Sequence, residues 1–301
     1  MRTSCIFAHY DRDGIVDEYV LHYLKVLRQN VKQLIFVTTA GLDAQSVNMV
    51  RALDIEVIER ANEGYDFYSY KVGIEQLSLD QYDSLMLCND SVYGPFDDLA
   101  PLFERMDESK CDFWGITESF DFARHLQSYF LVFKRPVLES ASFRRFWESV
   151  EILGDKKDII RCYEVGLTQL LIKAGYRYNS LTDLKDVGTF QRIWQARKEY
   201  LQTLGRRWRE RVFWAEVLSV ASGKMDVGVN PTHSDWRKLL EQCKVPFLKI
   251  ELLRDNPRDA KDLDAVLKVI KSLGDYPVEL ILGHIARVCP ERVAIIERDA
   301  R

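Results

Sequence analysis

Residues 5–27 read CIFAHYDRDGIVDEYVLHYLKVL. Cys5 to Ala8 is a short apolar run of strand length, and His9 to Gly14 is a polar loop. From Ile15 to Leu27 the apolar residues recur at helical spacing, at Val16, Tyr19, Val20, Tyr23, Leu24 and Leu27. The pattern then repeats. Leu34 to Thr38 (LIFVT) is a second strand, Ala44 to Leu53 a short helix, and Ile55 to Ile58 a third strand. The strands are apolar throughout rather than alternating. A β-loop-α-β-α-β order with such strands predicts an α/β fold, a parallel sheet covered by helices on both faces.

Working outward, Ser84 to Cys88 (SLMLC) is a fourth strand, and Asp112 to Gly115 and Ser128 to Phe133 are further ones. Helices are expected over Leu99 to Met106, Pro136 to Val150 and Asp158 to Ala174, the last ended by Gly175 at its C′ position. Beyond residue 185 or so the character changes. Gln191 to Leu218 is rich in Arg, Trp and Leu and reads as helical, and Val227 to His233 is a loop. Ser234 to Cys243, Lys261 to Leu273, Val278 to Val288 and Glu291 to Arg298 are helical material. The expected organisation is a binding and catalytic domain over 1–185, then a mainly helical region over 186–301 whose loop 230–249 closes over the site.

The chain has 301 residues, 47% of them apolar, enough for a large α/β domain with an appendage. Its 42 basic and 46 acidic side chains give a formal charge of −4, which argues against a general nucleic-acid binder. The six cysteines form no C-x-x-C pair and sit mostly in apolar runs, so they read as buried thiols rather than zinc ligands or disulfides. No signal sequence and no apolar stretch near 18 residues is seen, so a cytoplasmic location is expected, with peripheral membrane contact open. No G-x-G-x-x-G follows the first strand, which sets aside a dinucleotide-binding enzyme.

In open α/β sheets ligands collect beyond the carboxyl ends of the strands. Three polar clusters fall there: His9 to Asp13, Arg60 to Asp66, and Asn89-Asp90-Ser91. Asp90, directly after a buried strand, can bind a divalent cation that bridges a diphosphate, or the same residues can simply turn the chain. Arg60 can clamp a phosphate, with Asn62 and Lys71 in reach, while Gly64 lets backbone approach a ligand and Asp66 accepts from hydroxyls. The same stretch also reads as a solvated loop. His9 and Tyr10 can hold a nucleobase, and Asp11 and Asp13 can belong to that site or to a self-satisfied turn. Trp114 can stack on a sugar, with Glu118, His125, Gln127 and Ser128 binding hydroxyls, but aromatics in FW and YF pairs usually join the core. Glu164 can be a general base or a helix-dipole partner. His233 and Lys249 can fold over a diphosphate.

Jointly these segments resemble the rhamnan synthesis F family of bacterial polysaccharide assembly. The matching blocks are FAHYDRDGIVDEYV, ERANEGYDFYSYK, LMLCNDSVYGPF, CDFWGITES, HLQSYFLVFKRPVL, YEVGLTQLLIKAGY, NPTHSDW and PFLKIELLRDNP, spread over residues 5–257. The resemblance implies a GT-A type glycosyltransferase with a Rossmann-like nucleotide-binding sheet and a mainly helical C-terminal extension. In that fold a D-x-D motif holds metal and diphosphate. Cys88-Asn89-Asp90 stands in its place here, so the first carboxylate is absent and Asp90 is the retained metal ligand, for Mg²⁺ or Mn²⁺ if either is used. Asn89 and Ser91 support ribose or phosphate.

The resemblance further implies an inverting transfer of L-rhamnose from a dTDP-linked donor to a lipid-linked or oligosaccharide acceptor. Glu164 maps onto the base, with Glu118 and Asp112 as rivals, although the companion acid of the family pattern is Val165. His233 and Lys249 would stabilise the departing phosphate. Two alternatives stay open: a donor linked to UDP or GDP, and a non-catalytic module that binds glycan or nucleotide.

Overall fold

The computed structural model describes residues 2–119, 122–182, 230–257, 260 and 262–297. Its first half follows the expected order: β1 (Thr3–His9), α1 (Glu18–Asn30), β2 (Gln33–Thr38), α2 (Ala44–Arg51), β3 (Glu56–Glu59) and α3 (Tyr65–Glu75). Then come β4 (Ser84–Asn89), β5 (Val92–Tyr93), α4 (Ala100–Glu108), β6 (Phe113–Gly115), β7 (Glu118–Ser119), β8 (His125–Leu126) and β9 (Phe130–Lys134). Among the described residues seven strands form the main sheet, in the order β10-β6-β9-β4-β1-β2-β3, with β10 at Tyr178–Ser180.

The sheet is mixed rather than purely parallel. β1 runs parallel to β2 and β4, but β9 lies antiparallel between β4 and β6. An antiparallel strand in a largely parallel sheet needs no apolar pattern of its own, so residue types do not reveal its direction. The α/β class, with a GT-A type Rossmann-like sheet and helical C-terminal material, is what the structure shows.

Side chains alternate across the sheet, as the strand period of two requires. Cys5, Phe7, Leu34, Phe36, Met86 and Cys88 enter the core on one face, where α1 packs. Ile6, Ala8, Ile35, Val37, Leu85 and Leu87 enter the core on the other, with α3 and α6 (Ala141–Ser149). Gly73 permits a close approach there, since a Cβ at that position would lie 2.6 Å from Ile6 Cγ2. The helix expected over Pro136 to Val150 is broken into α5 (Arg135–Leu138) and α6, because the Ser140 side chain caps the Phe143 amide at 3.0 Å and starts a new helix. The helix expected from Asp158 is continuous but not regular: α7 (Lys156–Ile159) and α8 (Gly166–Lys173) flank a π-helical turn over Ile160–Val165.

The C-terminal elements are α9 (Pro231–Ser234), α10 (Trp236–Glu241), β11 (Leu248–Lys249), α11 (Ile250–Arg254), α12 (Val266–Leu273), α13 (Glu279–Val288) and α14 (Val293–Ile296). They share one core with the sheet: Phe247 packs on Tyr23 and Phe130, and Tyr276 on Phe96. The helix expected over Gln191 to Leu218 and the boundary near residue 185 lie outside the described residues. Cys5, Cys88 and Cys111 are buried thiols, whereas Cys162 is exposed. No described helix is long and apolar enough to cross a membrane.

Candidate functional site

β1 and β4 end side by side, with Ala8 opposite Asn89. The chain leaves both strands at the same level, which fixes His9-Tyr10 against Asp90. The Tyr10 amide donates to Asp90 Oδ2 at 2.9 Å, and His9 Nε2 lies 3.9 Å from the same oxygen. His9 is buried and its Nδ1 lies 3.0 Å from the Thr38 hydroxyl. Burial lowers its pKa to about 4, so the ring is neutral at pH 7. Burial, with the neighbouring Asp66 carboxylate, pushes Asp90 well above the usual carboxylate range. Tyr10 is half exposed beside it.

Two consecutive left-handed residues, Gly64 at φ +70° and Tyr65 at φ +52°, turn the β3–α3 loop into the first turn of α3. A left-handed aromatic is uncommon, and such conformations concentrate at functional sites. The turn presents Tyr65 and Asp66 between two adjoining cavities, both of which they line. The larger is a cleft of about 850 Å³ lined by His9, Tyr10, Asp11, Asn62, Gly64 and Asp90 among others. The smaller, about 190 Å³, is lined by Asn89, Ser91, His125, Gln127, Ser128, Glu164 and Lys249 among others.

A hydrogen-bonded chain runs along the floor of the smaller cavity. Asn89 Nδ2 donates to Asp66 Oδ2 at 2.8 Å, Ser91 Oγ donates to Asn89 Oδ1 at 2.6 Å, and Lys249 Nζ donates to Ser91 Oγ at 2.9 Å. Burial lowers the Lys249 pKa, opposed by Glu164, Glu251 and Asp66. Glu164 sits in the π-helical turn, not at a helix start. Its Oε1 lies 2.9 Å from His125 Nε2, and its Oε2 accepts from the Ser128 amide at 3.1 Å and from the Ser128 hydroxyl. Burial works against its ionisation, yet His125 and Ser128 hold the carboxyl below its ordinary pKa.

Other expected site residues lie elsewhere. Trp114 is buried in the core against Phe103 and Phe130, because every other residue of β6 faces that layer. Glu118 is buried and takes both guanidinium arms of Arg124, at 2.9 and 3.1 Å, away from either cavity lining. Lys71 caps the carbonyls of Glu148 and Val150, on the opposite side of α3 from the cleft. Arg60 spends its donors on the carbonyls of Ala61, Glu63 and Tyr65 and on Ser69 Oγ, so it braces the loop and does not line the cleft. His233 sits behind the cavity wall, its Nε2 3.4 Å from Glu251. Asp112, a rival base, is held by Arg177.

Asp11 and Asp13 are tied to a residue that sequence reading missed. Arg287, on α13, binds Asp11 and Asp17 at 2.5 Å each, and Asp13 as well. The guanidinium holds Asp11 below its ordinary pKa against the opposing effect of burial. Arg287, Arg254 and His284 all line the larger cleft, as does Tyr65. For His284 and Arg287 the only sequence signal was placement in a C-terminal helix, whose docking on the loop is a tertiary fact.

A family model described as rhamnan synthesis protein F matches residues 34–198. The chain belongs to the rhamnan synthesis protein F family. The matched span includes Asp66, Asn89 to Ser91, His125 and Glu164. Virulence protein VirA of Vibrio anguillarum is 27% identical over 281 residues, covering 91% of this chain and 87% of that protein. The uncharacterized protein y4gN of Sinorhizobium fredii is 34% identical over 137 residues, covering 44% of this chain and 36% of that protein. Among solved structures, residues 1–349 of Staphylococcus aureus TarS are similar at a TM-score of 0.41 and 14% identity, covering 100% of this chain and 91% of that one. The glycosyltransferase GlyE of Streptococcus pneumoniae gives 0.37 and 11%, covering 75% and 53%. Family and sheet type together place the chain among glycosyltransferase-like proteins of polysaccharide synthesis.

Proposed function

We propose that this member of the rhamnan synthesis family transfers a deoxyhexose, L-rhamnose from dTDP-L-rhamnose, onto a growing cell-surface polysaccharide with inversion. The observation that carries the reading is the pair of adjoining cavities at the carboxyl ends of β1, β3 and β4, divided by Tyr65 and Asp66. The larger cleft has the room and the chemistry for a nucleoside: the exposed Tyr10 ring for the base, and Asp66, Asp90 and Asn62 for hydroxyls. The smaller cavity, of about 190 Å³, suits one sugar ring, surrounded by Gln127, Ser128, His125 and Asp66. Asn89, Ser91 and Lys249 lie beside Asp66, where a diphosphate linking the two would pass.

Glu164 is ionised at neutral pH and lines the sugar cavity, so it is placed to take the acceptor proton while the diphosphate leaves from the opposite face. The acceptor, a lipid-linked or free oligosaccharide, enters from the open side, and the work is done at the cytoplasmic face of the membrane. The domain division is a site-bearing part over 1–185 with the C-terminal region closing it through residues 230–249. A second reading, a non-catalytic binding module, is favoured by the engagement of both Glu164 oxygens. A transfer assay with dTDP-, UDP- and GDP-sugars and an oligosaccharide panel separates the two. Turnover that Glu164→Gln abolishes while donor binding persists supports the transferase; donor binding without turnover on any acceptor supports the module.

A further inference from the structure

GT-A type sheets commonly place a divalent cation on the motif after the fourth strand, so the residues there decide whether one fits. They divide between the two cavities. Asp90 lines the larger cleft, whereas Asn89 and Ser91 line the smaller. Asp90 also commits Oδ2 to the Tyr10 amide, at 2.9 Å. Ser91 Oγ is occupied by the Lys249 ammonium, at 2.9 Å. A divalent cation on that hydroxyl would sit against a fixed like charge. Among the described residues no three His, Cys, Asp or Glu side chains converge to hold a metal. The donor set does not fit a resident metal.

Lys249 is held there firmly. β11 pairs antiparallel with β5, setting Lys249 opposite Val92, and the Ile250 amide donates to the Ser91 carbonyl at 3.1 Å. Gly94 lets the two segments touch, since a Cβ there would lie 2.4 Å from the Pro246 carbonyl oxygen. The ammonium also lies 4.6 Å from the centroid of the Tyr129 ring. Among the described residues Ser91 Oγ is its one hydrogen-bond acceptor, and an ammonium has three donors, so two remain for a ligand in the cavity it lines. Burial works against its charge and lowers its pKa, while Glu164, Glu251 and Asp66 around it favour the charged form and Lys156 is the like charge on the same wall.

Resting on the donor reading above, we propose that the Lys249 ammonium is the built-in counter-cation of the leaving diphosphate, standing where a metal ion would, so that donor binding and transfer need no divalent cation. In the transfer step the bond between the anomeric carbon and the β-phosphate oxygen breaks, and its electron pair stays on the phosphate. The acceptor oxygen bonds to the anomeric carbon, and its proton passes to Glu164. Lys249 donates hydrogen bonds to the charge that develops on the phosphate and loses no proton.

The test is calorimetric titration of the full chain with dTDP, UDP and GDP, in EDTA and in Mg²⁺ or Mn²⁺. The best nucleotide is expected to bind with the same affinity, within twofold, in both conditions. Lys249→Ala is expected to weaken it at least tenfold in EDTA, with partial recovery in Mg²⁺ or Mn²⁺, while Lys249→Arg keeps metal-independent binding. Wild-type binding that vanishes in EDTA and returns with metal overturns the proposal while leaving the donor reading intact. So does Lys249→Ala binding as tightly as wild type in EDTA. If Lys249→Ala fails to fold, the wild-type titrations and Lys249→Arg decide. Failure of all three nucleotides to bind under either condition overturns the donor reading and this proposal with it.

Discussion

His125 and Glu164 form a charged pair in which neither imidazole nitrogen is spare: Nε2 lies 2.9 Å from Glu164 Oε1, and Nδ1 lies 2.7 Å from the Ala123 carbonyl oxygen. A carbonyl only accepts, so Nδ1 carries a proton, and an ionised Glu164 requires a second on Nε2. Removing the carboxylate takes the charged partner away from a buried imidazole and leaves the Ser128 amide and hydroxyl facing a neutral group. Glu164→Gln is therefore expected to lower stability by about 3 kcal/mol in urea titration. The folded pKa of Glu164 is depressed, so its contribution is present above its ordinary value of 4.5 and is lost as pH falls through the folded one. Below about pH 4.5 the gap between wild type and Glu164→Gln should therefore close.

His9 titrates in a different window. Its folded pKa of about 4 lies below the ordinary 6.5, so on acidification the unfolded chain takes up the proton first. The stability that comes from keeping His9 neutral is whole above pH 6.5 and falls as pH drops towards 4. The loss amounts to about 3 kcal/mol. Thermal unfolding across that range should show the slope in wild type and a flatter one in His9→Asn.

The aromatic residues divide by role. Trp114→Ala empties a core position and is expected to cost about 4 kcal/mol with donor affinity per folded molecule unchanged. Tyr10→Ala removes a half-exposed ring at the cleft and should leave the melting temperature within a degree or so. It should weaken nucleotide binding several-fold. Melting curves and titrations on both variants check the contrast.

Arg287 is one cation among Asp11, Asp13 and Asp17. Arg287→Ala leaves those carboxylates repelling one another, with Asp11 and Asp17 mostly buried. A loss of about 3 kcal/mol is expected at pH 7. Because Arg287 holds Asp11 down, the gap to wild type should shrink as pH falls below the ordinary carboxylate value and Asp11 protonates. Hydrogen exchange of the loop after β1 should rise in the variant.

The strands and first helices were legible because their signals are local. Continuous apolar runs such as LIFVT and SLMLC, and the 3.6-residue spacing of α1, follow from which side chains must leave water. Asp66, Asp90 and Glu164 were marked as candidates by residue type and by position after a strand or in a helix. What escaped depends on who faces whom. Trp114 stood open between a sugar platform and the core, and Glu118 was a candidate hydroxyl ligand; only the packing of β6 and the reach of Arg124 place both inside. Arg60 and Lys71 looked like phosphate ligands, but nearby carbonyls claimed their donors first. Arg287 reaches the site from 276 residues away along the chain, a separation no local pattern encodes, and Lys249, though marked as a phosphate ligand, meets Ser91 across 158 residues only through a strand pairing that the sequence does not show.

The most direct measurement is a crystal structure of the chain with dTDP-L-rhamnose, or with dTDP alone. The base should lie against Tyr10, the diphosphate within hydrogen-bond reach of Ser91 and Lys249, and the sugar in the smaller cavity beside Glu164. Nucleotide density elsewhere on the protein, with both cavities holding only water, would contradict the account.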